Sequence, residues 1–244
     1  QLAVGYYNVR AKDVLITGVR SSVLGTSTYY NNDGEISARG VEVSLAVSPI
    51  STKDFRWTIG GNITTLKNEV ESLGSISEIL TTLSDDAQVI TRVGNNPYAF
   101  YGYKTKGVFA TTAEAEAANL TNRSGLKYAA GDVHYVDVNN DGIINDNDKQ
   151  VIGSATPDFY GSLFTRFEYR RFALDFTFTY SRGNDIYNAV RRVTESGSDF
   201  SNQSTSLARR WSMEGQVTDI PRASWADEIG NNAFSDRWIE DGSY

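Results

Sequence analysis

The sequence predicts an all-β fold: about five antiparallel strands with long loops that carry short helices, an arrangement that a transmembrane β-barrel fits. Three observations predict it. Apolar residues alternate with period two along segments whose length approaches the roughly 9–11 residues of a tilted membrane strand. The connections between these segments are very unequal in length. No apolar run approaches the roughly 20 residues that a membrane helix needs.

The opening stretch, LAVGYYNVRAKDVLITG, reads as an irregular first strand. Val41, Val43, Leu45 and Val47 then alternate with Glu42, Ser44, Ala46 and Ser48. After the turn SPISTKDF, Trp57, Ile59 and Ile63 alternate with Thr58, Gly60, Asn62 and Thr64, which predicts a hairpin. Leu163, Thr165, Phe167 and Tyr169 alternate with Phe164, Arg166 and Glu168. Across Arg170-Arg171 the pattern resumes: Phe172, Leu174, Phe176, Phe178 and Tyr180 against Ala173, Asp175, Thr177, Thr179 and Ser181, a second hairpin on a very tight turn.

The remaining connections run from about Gly18 to Arg39, from about Glu69 to Asp158, and from Gly183 to the end. Structureless loops beyond roughly 12–15 residues are uncommon, so partial order is expected in them. Thr111 followed by Glu114 is a capping pattern that places a helix in TTAEAEAANL. Ile186, Ala189, Val190 and Val193 fall on one helical face, as do Leu207 and Trp211. Short turns at one end and long loops at the other describe a membrane barrel with its short end periplasmic. In such a barrel the Phe/Leu face contacts lipid, while Arg166, Glu168 and Asp175 face the lumen. A soluble sandwich with the same face turned inward has the same alternation, so the pattern alone leaves both open. The aromatics near strand ends (Trp57, Phe159, Tyr160, Tyr169, Phe172, Tyr180) fit membrane-interface girdles and an ordinary core alike.

Composition narrows the function classes. A chain of 244 residues can be one all-β domain or two small ones. The absence of cysteine removes disulfides, thiol nucleophiles and cysteine-ligated zinc, and favours a bacterial envelope or an intracellular origin. A net charge of −7 argues against a nucleic-acid partner. The sole methionine is Met213, so Gln1 is expected to begin a processed product or a fragment. The sole histidine, His134, lies in a strand-like stretch and reads as a surface or packing residue rather than a general base. No G-x-S-x-G, P-loop or G-x-G-x-x-G occurs, and neighbouring carboxylates such as Asp85-Asp86 say nothing about the separation a glycosidase needs. No enzyme is predicted.

One motif carries chemistry. In YVDVNNDGIINDNDKQVIG, Asp137, Asn139 and Asp141 stand at positions 1, 3 and 5 of a twelve-residue loop, with Gly142 at 6. Ile143 offers its carbonyl at 7, Asn145 acts at 9, and Asp148 closes at 12. Calcium is a hard cation that takes roughly 6–8 oxygens, and this spacing gathers them around the glycine turn. Aspartate at 12 has a shorter arm than the usual glutamate, so the affinity expected is that of an extracellular module. Ile144 at 8 is the apolar anchor. A run of Asx turns would explain Asn and Asp in general, but not so many at ligand positions. The expected role is structural: an ion that binds only the folded loop stabilises it. The flanks, Tyr135-Val136 and Val151-Ile152, look like strand rather than helix. Trp211, Trp225 and Tyr187 could stack on sugar rings or pack the loop onto itself, and no substrate residue is assigned.

Several stretches, in order along nearly the whole chain, resemble the C-terminal part of the barrel of SusC/RagA-type TonB-dependent outer-membrane transporters from Bacteroidetes. They are YYNVRAKDVL, GEISARGVEVSL with KDFRWTIGGNIT, RVGNNPYAFYGYKTKGVFATTAEAEA, and GDVHYVDVNNDGIINDNDKQVIGSATPDFYG. YRRFALDFTFTYSRGNDIYN, RRWSMEGQVTDIPRAS and DRWIEDGSY complete the series. The resemblance implies that residues 1–244 are part of one barrel domain whose plug and other strands lie outside it. Residues 69–158 would be a long extracellular loop region holding the calcium loop 137–148, and residues 183–242 a second such loop. The DGSY end looks like the entrance to a further strand. It further implies location in the outer membrane, TonB-driven import of oligosaccharides or peptides, and a SusD-like surface lipoprotein as partner. The other reading from the residues is a soluble, calcium-stabilised surface β-domain that binds carbohydrate.

Overall fold

The computed structural model describes residues 1–19 and 28–244. Strands β1 (Leu2–Val19) and β2 (Thr28–Ser51) pair antiparallel from Leu2↔Leu45 to Val19↔Thr28. The long connection expected from Gly18 to Arg39 is therefore corrected: most of it is strand, and its remainder, residues 20–27, lies outside the described residues. In its β2 half, adjacent Tyr29-Tyr30 followed by Asn31, Asn32 and Asp33 puts like residues on both faces, so the alternation fades while the backbone ladder continues. β3 (Phe55–Thr65) pairs with the inner half of β2, and β4 (Lys67–Leu73) with its outer half, from Arg39↔Lys67 to Gly34↔Leu73.

A folded insertion follows. It contains β5 (Glu78–Thr82), β6 (Gln88–Arg92), β7 (Ala99–Gly102), β8 (Thr105–Val108), helix α1 (Thr112–Ala118), β9 (Thr121–Asn122), β10 (Val133–Tyr135), β11 (Ile143–Ile144) and β12 (Gln150–Gly153). The chain then re-enters the main sheet as β13 (Phe159–Tyr169) and β14 (Phe172–Arg182). β15 (Asp185–Tyr187), helix α2 (Ala189–Thr194) and β16 (Ile239–Asp241) lie in the final stretch. The main sheet has the order β1-β2-β3-β13-β14, with β4 added on β2. The five expected strands are all present.

Register decides which residues share a face. Val47, Ile59, Thr165 and Phe176 form one row across four strands, and Leu45, Gly61, Leu163 and Phe178 form another. Ile50, Trp57, Phe167 and Leu174 form a third. Directly paired residues point to the same side, so these rows make one continuous apolar face. On it Trp57 stacks on Phe167 with ring centroids 5.9 Å apart, and its indole N–H donates to Thr165 Oγ1 at 2.8 Å. The opposite face is polar: Arg166 meets Glu168 at 3.2 Å and Asp175 at 3.6 Å, and Asn62 donates to Ser162 at 3.0 Å. Phe172 and Phe178 are 80% and 66% exposed, and among the described residues no element covers the apolar face. A soluble sandwich would bury that face. The barrel segment leaves it outward.

The two tight turns lie side by side. Arg170 N–H donates to Asp54 O at 2.8 Å and its guanidinium stands 3.5 Å from the Asp54 carboxylate. Arg170 has φ of 52°, the left-handed backbone that two-residue hairpin turns use.

One small buried cluster, Ile16, Val70 and Leu73, lies on the outer part of the main sheet, and two others lie in the insertions. One cluster joins Phe109, Leu120, Tyr128, Val133, Tyr135, Ile144 and Ile229; another joins Ala87, Val89, Phe100 and Phe234. Helix α1 starts as expected, with the Thr111 side chain accepting from Glu114 N–H. Glu114, however, reaches back to Ala110 N–H (2.9 Å) instead of completing a capping box at Thr111. Two helical faces are corrected. Ile186 is in strand β15, opposite Glu240, because Asn188 caps α2 just beyond it and sets the boundary there. Leu207 lies in a 3-10 turn, Thr205–Arg209, and Trp211 falls outside it, its backbone N–H bonded to Ile220 O at 2.9 Å. A four-residue spacing shares a face only where the helix continues.

At the chain's end, Tyr244 exchanges both backbone hydrogen bonds with Ser181, at 2.9 and 3.0 Å, on the free edge of β14. That exchange is the hydrogen-bonded pair of an antiparallel ladder.

Candidate metal centre

The predicted ion loop connects β10 to β12, between strands as its flanks indicated. Its first half is tied together by aspartate and asparagine oxygens. Asp137 accepts from Gly142 N–H at 2.8 Å, and Asn139 Oδ1 accepts from Asp141 N–H at 3.1 Å. Asp141 accepts from Ile143 N–H and from the Asn139 amide, both at 2.8 Å. Gly142 has φ of 78°, a backbone that a side chain would strain. In the second half, Asn145 caps a 3-10 turn, Asp146–Asp148, and its amide donates to Ile143 O at 3.1 Å. Asp148 joins the halves, accepting from Val138 N–H at 2.9 Å and from Asn145 N–H at 2.8 Å.

Asp148 is fully buried. Among the described residues, Asp137, Asp141 and Asp148 take part in no ion pair. Asp146, outside the proposed ligand set, does, with Lys149 at 2.7 Å and Arg123 at 3.7 Å. The Lys149 ammonium, hydrogen-bonded to Asp146, holds that carboxyl below the usual carboxylate range. Of the three carboxylates without an ion pair Asp148 is the buried one, and a buried charge without a countercharge is costly, which suits a cation in the loop. Among the described residues no group of three or more His, Cys, Asp or Glu side chains is close enough to hold an ion by itself. Closure would therefore depend on the amide oxygens of Asn139 and Asn145 and on the Ile143 carbonyl, all-oxygen chemistry that suits calcium.

The loop is anchored from outside. Ile144 is buried in the Phe109–Tyr135 cluster, as its position predicts. β11 pairs in parallel with β9, and Thr121 N–H donates to Gly142 O at 2.9 Å, which ties the glycine turn to the end of α1. His134 stacks on Phe109 with centroids 4.2 Å apart, and burial lowers its imidazole pKa. It is a packing residue. Tyr187 packs edge-on against Phe234 at 5.1 Å, which packs the last loop onto itself, while the Trp211 indole donates to Ala110 O at 3.0 Å and fastens that loop to the first insertion. Trp225 remains 64% exposed beside Phe200.

Sequence reading missed a second polar centre. The buried Asp132 carboxylate accepts from Arg222 at 2.8 and 3.1 Å, from Asn231 at 3.0 Å and from Ala129 N–H at 2.9 Å. Asp227 accepts from the N–H groups of Asn231 and Asn232 at 2.8 and 2.7 Å. Burial pushes the Asp227 carboxyl up. No local spacing signals the Asp132–Arg222 and Asp132–Asn231 contacts, since those partners lie far apart in the chain.

No family model matches the chain. TonB-dependent receptor P3 of Formosa agariphila is 27% identical over 250 residues, covering 100% of this chain and 24% of the relative. The chain is similar, end to end, to TonB-dependent receptors. SusC of Bacteroides thetaiotaomicron is 27% identical over 194 residues, 75% of this chain and 17% of its own. Among solved structures, the RagAB peptide importer in its open-open state superposes with a TM-score of 0.76 at 20% identity, over 99% of this chain and 25% of that one. A further RagAB peptide transporter structure gives a TM-score of 0.74. The chain thus shares its fold with part of a larger barrel transporter and spans about a quarter of the length of such receptors.

Proposed function

We propose that this chain is a barrel segment of an outer-membrane, TonB-dependent importer of large nutrients, oligosaccharides or peptides, that works with a SusD-like lipoprotein. The carrying observation is the continuous outward apolar face of the main sheet, with tight turns at one end and folded insertions at the other. That asymmetry suits a barrel whose long loops are extracellular. The soluble carbohydrate-binding domain is the weaker reading, because it gives that face nothing to pack against. The test is the denatured mass of the polypeptide in its native source, together with its membrane fraction. A mass several times 26.9 kDa in the outer membrane is expected. A 26.9 kDa protein in aqueous solution would sink the reading, since membrane barrels need roughly 8 strands or more.

Within that importer, calcium held by Asp137, Asn139, Asp141, Ile143, Asn145 and Asp148 would staple the insertion. The uncompensated carboxylates and the buried Asp148 support it. Asp141→Ala in the full-length receptor is expected to abolish calcium-dependent protease protection of residues 130–155. Protection that persists unchanged would reject the site.

A further inference from the structure

Next to the ion loop is a cleft of about 210 Å3, lined by Tyr103, Tyr128, Tyr135, Arg123, Ile144 and Glu228 among others. The three tyrosines form one aromatic wall, with Tyr135 centred 5.3 Å from Tyr103 and 5.9 Å from Tyr128. Tyr135 is already satisfied, its hydroxyl donating to Gly230 O at 2.7 Å. The Tyr103 and Tyr128 hydroxyls differ: among the described residues neither makes a hydrogen bond, and neither is sealed from solvent. Burial raises both phenols, Tyr103 to about 12 and Tyr128 further, so both keep their proton at neutral pH and can donate. A phenol left unbonded at a drying surface is costly, so it needs water or a ligand.

The rest of the lining selects the ligand. Arg123 and Glu228 carry opposite charges, so the cleft has no preference for an ion of either sign. Ile144 and the tyrosine rings suit C–H faces, while the free hydroxyls suit polar substituents. The volume is below the roughly 300–1,000 Å3 of drug-sized sites and suits a single ring. We propose that this cleft binds one hydroxylated ring of a carbohydrate, with the Tyr103 and Tyr128 hydroxyls as hydrogen-bond partners and Ile144 of the ion loop in its lining. The ring would be part of the imported nutrient, so the source of the ligand rests on the import reading, whereas the binding chemistry does not.

The test uses the full-length receptor purified from its membrane, titrated with methyl glucoside, galactoside and mannoside by ligand-observed NMR. At least one hexoside is expected to bind. Tyr103→Phe and Tyr128→Phe should each weaken it by roughly 2- to 10-fold, the size of one hydrogen bond, with circular dichroism unchanged. The proposal is overturned if no hexoside binds at millimolar concentration or if both variants bind like the parent. It is also overturned if the cleft is filled by other residues of the full-length protein, or takes a Phe-containing peptide in place of sugar. Cellular uptake by the parent receptor is measured separately: its failure would remove the import reading and leave the binding result standing.

Discussion

The main sheet and the insertions of this chain are stabilised in opposite ways. In the sheet, Leu163, Phe172, Leu174 and Phe178 project outward, and the polar pairs Arg166–Asp175 and Asn62–Ser162 occupy the other face. In the insertions, Phe109, Tyr135 and Ile144 turn inward, and the charged groups Asp132 and Asp148 are buried under hydrogen bonds. The first arrangement needs an apolar surrounding. The second makes its own interior and would hold in water. One polypeptide therefore carries two hydrophobic patterns matched to two solvents, and a single substitution should have opposite consequences in each.

The largest expected effect tests the outward face. Phe176→Arg should cost roughly 2–4 kcal/mol in a bilayer, as cations do near the midplane of a barrel's lipid face. Thr177→Arg, one residue along on the polar face, should cost little. The fraction of full-length receptor that stays folded in unheated gel samples distinguishes them, and equal losses would break the comparison. Next is Asp132→Ala. It orphans the buried Asn231 amide and unpairs Arg222, but Arg222 is partly exposed, so the loss should be near the low end for a broken buried pair, about 3 kcal/mol. Limited proteolysis should open residues 120–135 and 220–235 and leave β13 and β14 resistant. The smallest effect belongs to the helix cap: Thr111→Ala should cost about 1 kcal/mol and show in faster hydrogen exchange at the start of α1 alone.

What could be read from the sequence follows from the same division. Rows such as Val47, Ile59 and Phe176 have one apolar and one polar side, and that contrast writes a period of two into the chain. The Arg170-Arg171 turn, the Thr111 cap and the anchoring role of Ile144 are short-range devices, so they were legible too. The outer half of β2, from Thr28 to Gly34, was not, because adjacent Tyr29-Tyr30 followed by Asn31, Asn32 and Asp33 gives it no period of two. The Asp132–Arg222–Asn231 network and the tyrosine cleft were also illegible. Each depends on side chains that meet only after the last insertion folds over the first, and no local spacing records such a meeting.

The insertion between β3 and β13 begins and ends at one point: Leu66 N–H donates to Asp158 O at 3.0 Å. Bringing two strands together across a slack loop costs conformational entropy that grows with the logarithm of its length. A compact insertion with joined ends avoids most of that cost, because folding it delivers β3 and β13 already side by side. The order of events would then run from module to barrel. Residues 66–158, whose first strand β4 is itself part of the main sheet, would act as a folding clamp on strands distant in sequence, and exchanging the part beyond β4 would leave the β3–β13 register unchanged.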